Sequence, residues 1–212
     1  KEHLVVTGRS GSGKTNATLV LMRELMQQDI RVLALDWKRA YRDLAALHDD
    51  LRIYTIGRDV SPLAFNPLIP PPGCEPNLWI KLIVDVIAGA YLGGEGVISL
   101  LIGGLTHLYR EHGIYDGQIK SWPTIQDLYA WIHNSKLKGR PALWRDSAER
   151  ILQGLLYGEL GRSLRTQSNQ QVDQLLEQNA VLEMDGLSSS SDRKMYSEAL
   201  MLYFYRTRLA QG

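Results

Sequence analysis

The chain opens on a short apolar run, LVVT at residues 4–7, whose length and β-prone residues predict a buried parallel strand. Residues 16–28 (NATLVLMRELMQQ) then place Ala17, Val20, Leu21, Glu24 and Leu25 at helical spacing, which predicts an amphipathic helix. RVLALD at 31–36 predicts a second strand ending in an acid, residues 41–47 a short helix, and LRIYTI at 51–56 a third strand. The loop that follows, 57–73, contains three consecutive prolines at 70–72 and excludes regular helix. Beyond it the strand signal nearly vanishes. Residues 78–88 and 97–105 read as two buried helices joined by the turn GGEG at 93–96, and further breaks fall at 113–123 and 139–141. Thr124, with Asp127 three residues on, predicts a helix start. AVLEMD at 180–185 returns to strand, and residues 191–210 predict a last amphipathic helix. A strand and helix alternation interrupted by about a hundred helical residues predicts an α/β fold with a parallel sheet and a large all-helical insertion. The expected divisions are 1–74, 75–179 and 180–212.

Composition narrows this picture. A length of 212 residues suffices for one α/β domain with a sizeable insertion, or for two small domains. The formal net charge of +1 commits the chain to neither nucleic acid nor membrane. Cys74 is the single cysteine, which excludes an internal disulfide and suits a reducing, cytoplasmic setting. The five histidines fall in no zinc spacing, and His107 and His112 are expected on a solvated helix face. Neither apolar helix reaches the roughly 20 residues of a membrane span, and the first carries Lys81 and Asp85. The start shows no signal peptide and no initiator Met, so a processed or excised piece is expected.

The strongest chemical signal is GRSGSGKT at residues 8–15, the pattern G-x-x-x-x-G-K-T. Gly8, Gly11 and Gly13 let the backbone approach an anion closely, with Ser10 and Ser12 between them. Lys14 is expected to bring a positive charge to the β- and γ-phosphates of ATP. Thr15 offers a hydroxyl to Mg²⁺, and the helix beginning near Asn16 points its positive end at the same phosphates. Lys14 and Thr15 are thus the expected catalytic pair, and Gly8 and Ser10 to Asn16 the nucleotide contacts, with Asp36 as a further candidate.

Hydrolysis also needs an acid at the end of a neighbouring buried strand. Asp36 and Asp185 both end strands, but Asp36 is equally suited to cap the next helix and Asp185-Gly186 to form an ordinary turn. A strand covered on both faces is expected to be apolar throughout, and Glu183 within AVLEMD breaks that expectation. The Mg²⁺ acid and the catalytic glutamate are therefore expected outside these residues.

Four features in this order resemble the HerA/FtsK superfamily of P-loop ATPases, most closely its HerA-like and type IV secretion branch. They are GRSGSGKT, the strand ending LDWKRAY at 35–41, FNPL at 65–68, and a helical insertion leading to NAVLEMDGL at 179–187. The likeness spans nearly the whole chain. It implies a RecA-like core, an ATPase using ATP and Mg²⁺, a homo-hexameric ring, duplex DNA in the ring pore, and a nuclease or secretion subunit as partner. It also implies that the chain stops short of the Walker B strand, so that this piece holds nucleotide but hydrolyses it weakly on its own. Arg162 and Arg165 are then candidates for the arginine a neighbouring subunit lends to the site. The basic stretch 136–150, with Trp144, is a candidate for DNA phosphates. Asn66-Pro67 is expected to set the path of its loop. A small-molecule kinase with a helical lid, or a nucleotide-binding scaffold without turnover, remains open.

Overall fold

The computed structural model describes residues 3–211; residues 1, 2 and 212, the outermost ends of the expected divisions, lie outside the described residues. Helix α1 (Lys14–Gln27) leads through a short turn into β1 (Leu33–Asp36), and β2 (Arg52–Thr55) follows a 3₁₀ turn at Arg42–Ala46. The helical part comprises α2 (Pro76–Tyr91), α3 (Glu95–Glu111), α4 (Ile125–His133), α5 (Arg140–Leu156), α6 (Gly158–Leu164) and α7 (Gln170–Gln174). Strand β3 (Ala180–Glu183) and helix α8 (Ser190–Ala210) complete the order.

The three strands form one parallel sheet in the order β1-β3-β2, with Asp36 and Thr55 both in register with Glu183. Side chains alternate across the sheet. Ala180 and Leu182 join the large core built with α2, α3, α5 and α8, whereas Val181 joins a smaller cluster with Met22 and Met26 of α1 and with Leu44 and Leu51. The large core runs without a break from the sheet into the helices, and Trp79, Tyr109, Tyr196 and Tyr203 are its largest buried side chains. Helix starts are well specified: Glu75 accepts from the N–H groups of Asn77 and Leu78, and Thr124 and Asp127 form a reciprocal capping box.

Several expectations are corrected. LVVT at 4–7 is not a strand: Leu4 and Val5 are 71% and 79% exposed, and none of the three described strands pairs with it. A β run without a neighbour leaves its N–H and C=O groups to water, so composition alone does not make it a strand. Helix α1 buries Met22 and Met26, while Val20 and Leu21 of the expected face are exposed. The reason is that α1 packs against one face of a narrow sheet and the 3₁₀ turn, which cover only part of its apolar surface. The expected helix at 41–47 is that 3₁₀ turn. Strand β3 lies in the middle of the sheet and is buried at all four positions, Glu183 included, against the expectation that a covered strand is apolar throughout. Arginines supplied by the loop after β1 make this tolerable.

Candidate functional site

The phosphate-loop residues are brought together by a tight turn at 10–13 that runs directly into α1. Gly11 and Gly13 adopt φ of 78° and 85°, left-handed conformations that cost a residue bearing a Cβ about 1–2 kcal/mol. Gly13 is the residue before the helix and provides no side-chain cap. The first intrahelical bond runs from Ala17 N to Gly13 O at 2.8 Å, so the N–H groups of Lys14, Thr15 and Asn16 have no acceptor within the helix. Lys14 Nζ donates to Gly8 O at 2.8 Å and to Arg9 O at 2.6 Å, closing the loop on itself. Positive-φ glycines, helical N–H groups without acceptors and a lysine folded over the loop fit the phosphates of a nucleotide, and the exposed Thr15 hydroxyl fits Mg²⁺. Helix α1 packs through Met22 and Met26 against Val181 of β3, which places it on one face of the sheet.

Asp36 is not bonded to the loop. It is 2% exposed, and its Oδ1 and Oδ2 accept from the N–H groups of Lys38 and Tyr41, both at 3.0 Å. These bonds hold the turn that follows β1, whereas the 3₁₀ turn at Arg42–Ala46 has no side-chain cap, so the expected helix-capping role is not the one Asp36 fills. Asp185 is paired with Arg58, while its Oδ1 is buried without a partner among the described residues. Asn66 is fully buried and bonds the carbonyls of Pro123 and Thr166, so it does hold the path of its loop, by tying it to the helical part.

Sequence reasoning missed the ion pair at the centre of the sheet's carboxyl edge. Glu183 is 0% exposed; Arg42 Nε and Nη2 donate to its two oxygens at 2.5 and 2.8 Å, and Arg39 Nε lies 3.4 Å away. The hydrogen bonds from Arg42, reinforced by the charges of Arg42 and Arg39, hold the carboxyl below its ordinary range, against the opposing effect of burial. A carboxylate bound this way is a poor general base for water. The signal was available in the basic residues Lys38, Arg39 and Arg42 that follow the strand ending in Asp36, but their partner is distant in the chain.

Of the other candidates, Arg162 pairs with Asp59 at 3.1 Å in the open, and Arg165 Nη2 donates to Leu156 O at 3.2 Å. His107 lies 3.6 Å from Glu111, and His112 Nδ1 lies 2.9 Å from Ser121 Oγ. Among the described residues no group of histidines, cysteines and acids is spaced to hold a metal ion, and no helix is long and apolar enough to cross a membrane.

Residues 1–83 match the family model for the central domain of helicase HerA. The fold is similar to the structure of VirB4 of Thermoanaerobacter pseudethanolicus, with a TM-score of 0.69 and 17% identity over 96% of this chain and 56% of that one. At that identity the likeness speaks for the fold alone, and the chain spans little more than half the length of that protein. No curated protein sequence matches the chain. The family-model match over residues 1–83 supports the HerA-like resemblance, and the likeness to VirB4 agrees with it in fold.

Proposed function

We propose that this chain, a P-loop ATPase motor of the HerA and type IV secretion branch, is the nucleotide-binding part of a RecA-like ring subunit that couples ATP hydrolysis to the movement of DNA. In this reading residues 1–74 and 180–212 belong to the motor core and 75–179 to its helical insertion. The observation that carries the reading is the loop geometry: left-handed Gly11 and Gly13, free N–H groups at the start of α1, and Lys14 bonded only to loop carbonyls. Bound Mg²⁺ would neutralise charge on the β- and γ-phosphates. Lys14 would leave the carbonyls of Gly8 and Arg9 for phosphate oxygens, and Thr15 would orient its hydroxyl to the ion. The N–H groups of Gly11 and of Gly13 to Asn16 would line the polyphosphate, while that of Ser12 is bonded to Arg9 O.

Hexamer formation, a lent arginine at Arg162 or Arg165 and a cytoplasmic location belong to the same proposal, as does duplex DNA in the pore. A motor that exports a secretion substrate is the second reading, favoured by the fold likeness to VirB4. Mg²⁺-ATP turnover of the full chain, with and without duplex DNA and beside Lys14→Ala, separates them. DNA-stimulated turnover abolished in Lys14→Ala supports the DNA motor. Turnover indifferent to DNA favours the secretion motor or a kinase, and ATP binding without turnover favours a scaffold.

A further inference from the structure

A cleft of about 750 Å³ opens where the glycine turn between α2 and α3 faces α5. That is the size range of clefts that hold a small ligand. Arg140, Trp144, Ser147 and Arg150 line it from α5, Gly94 lines it from the turn, and Glu95 and Gly96 line it from the start of α3. The arginines of α5 are not equivalent. Arg145 is neutralised by Asp146 at 2.9 Å and Glu149 at 3.4 Å, whereas neither Arg140 nor Arg150 has a carboxylate partner among the described residues. Arg150 bonds only the hydroxyl of Ser147 at 3.0 Å, and the Arg140 guanidinium lies over the Trp144 ring, 5.7 Å from its centroid.

Opposite them, α3 starts at Gly94 without a side-chain cap, and its first bonds run from the N–H groups of Val97 and Ile98 to Gly94 O. The N–H groups of Glu95 and Gly96 therefore have no acceptor within the helix. Gly96 lies so close to Trp144 that a Cβ there would meet the ring at 2.2 Å. Glu95 is the one acid in the lining, against two arginines.

We propose that this cleft binds a phosphate-bearing strand of single-stranded nucleic acid, with Arg140 and Arg150 on adjacent phosphates and a base against the stacked Arg140 and Trp144 pair. Two unpaired guanidiniums beside an aromatic plane and free backbone N–H groups match the alternation of phosphate and base in such a strand. The proposal goes beyond the motor reading and stands without it, because it requires no nucleotide at the phosphate loop.

The test is fluorescence anisotropy of a labelled oligothymidylate with the full chain, at low and moderate salt. Arg140→Ala combined with Arg150→Ala is expected to weaken binding at least tenfold. Loss of two phosphate contacts should also reduce the slope of log K against log salt by about 1.4. Arg140→Lys combined with Arg150→Lys should restore most of the salt dependence. Gly96→Ala, which displaces the Trp144 ring but keeps both arginines, is expected to weaken binding without changing the slope. Lys14→Ala should bind the oligonucleotide as the unaltered chain does, which separates this site from the phosphate loop. Binding unaffected by the double substitution, an unchanged salt slope, or equal affinity for a duplex of the same length would overturn the proposal.

Discussion

Asn66→Ala is expected to destabilise the fold by about 3–5 kcal/mol, although Asn66 touches none of the candidate chemistry. Its side chain is fully buried and makes three hydrogen bonds: Nδ2 to Pro123 O at 2.9 Å, Nδ2 to Thr166 O at 3.0 Å, and Oδ1 from Leu68 N at 3.0 Å. Alanine leaves two carbonyls and one N–H without partners, each at a cost of about 1–3 kcal/mol. Water entering the vacated space recovers part of that sum of roughly 3–9 kcal/mol, which places the expectation in its lower half. The main-chain bonds of the same residue with Asn169, at 2.8 and 3.0 Å, remain. Asn169→Ala should therefore be strongly non-additive with Asn66→Ala. The assay is urea denaturation followed by circular dichroism, with the slope checked for two-state behaviour. A thermal scan should show a fall on the order of 10 °C for a chain of this size. A loss below about 1 kcal/mol would refute the claim that this side chain joins the loop after β2 to the helical part.

Three further outcomes are expected. Gly13→Ala should cost about 1–2 kcal/mol through its left-handed backbone rather than through a clash, since nothing lies within 4 Å of a Cβ there. Titration with a fluorescent ATP analogue should show weakened binding, and unchanged binding would show that the loop tolerates another conformation. Because Arg42 and Arg39 depress the Glu183 carboxyl below its ordinary 4.5, its contribution to stability is complete above about pH 4.5 and is lost as pH falls through the lower folded value. Glu183→Gln should flatten that acid limb of the stability curve, and a curve parallel to that of the unaltered chain would contradict it. Leu152→Ala, at a fully buried position of α5, should cost about 2–5 kcal/mol in the same denaturation assay, and a loss below about 1 kcal/mol would mean that α5 is not packed into the large core.

Local patterns in the chain were sufficient for much of this. The phosphate loop followed by a helix, the start of α4 at Thr124 with Asp127, and the turn at 93–96 between α2 and α3 are decided by neighbours within a few residues. Such features depend on backbone conformation and short-range hydrogen bonds, which composition encodes directly.

What only the tertiary structure decided depends on partners distant in sequence. LVVT has a strand's composition, yet pairing with a neighbour is what makes a strand, and none of the described strands provides it. Glu183 is at odds with a covered strand by residue type, and Arg42, 141 positions away, is what neutralises it there. The cleft beside Trp144 arises where a glycine turn and a helix some fifty residues apart pack together. Sequence determined which segments curl locally and where an anion can be cradled; packing decided which charges are neutralised, because burial and pairing are properties of neighbours in space.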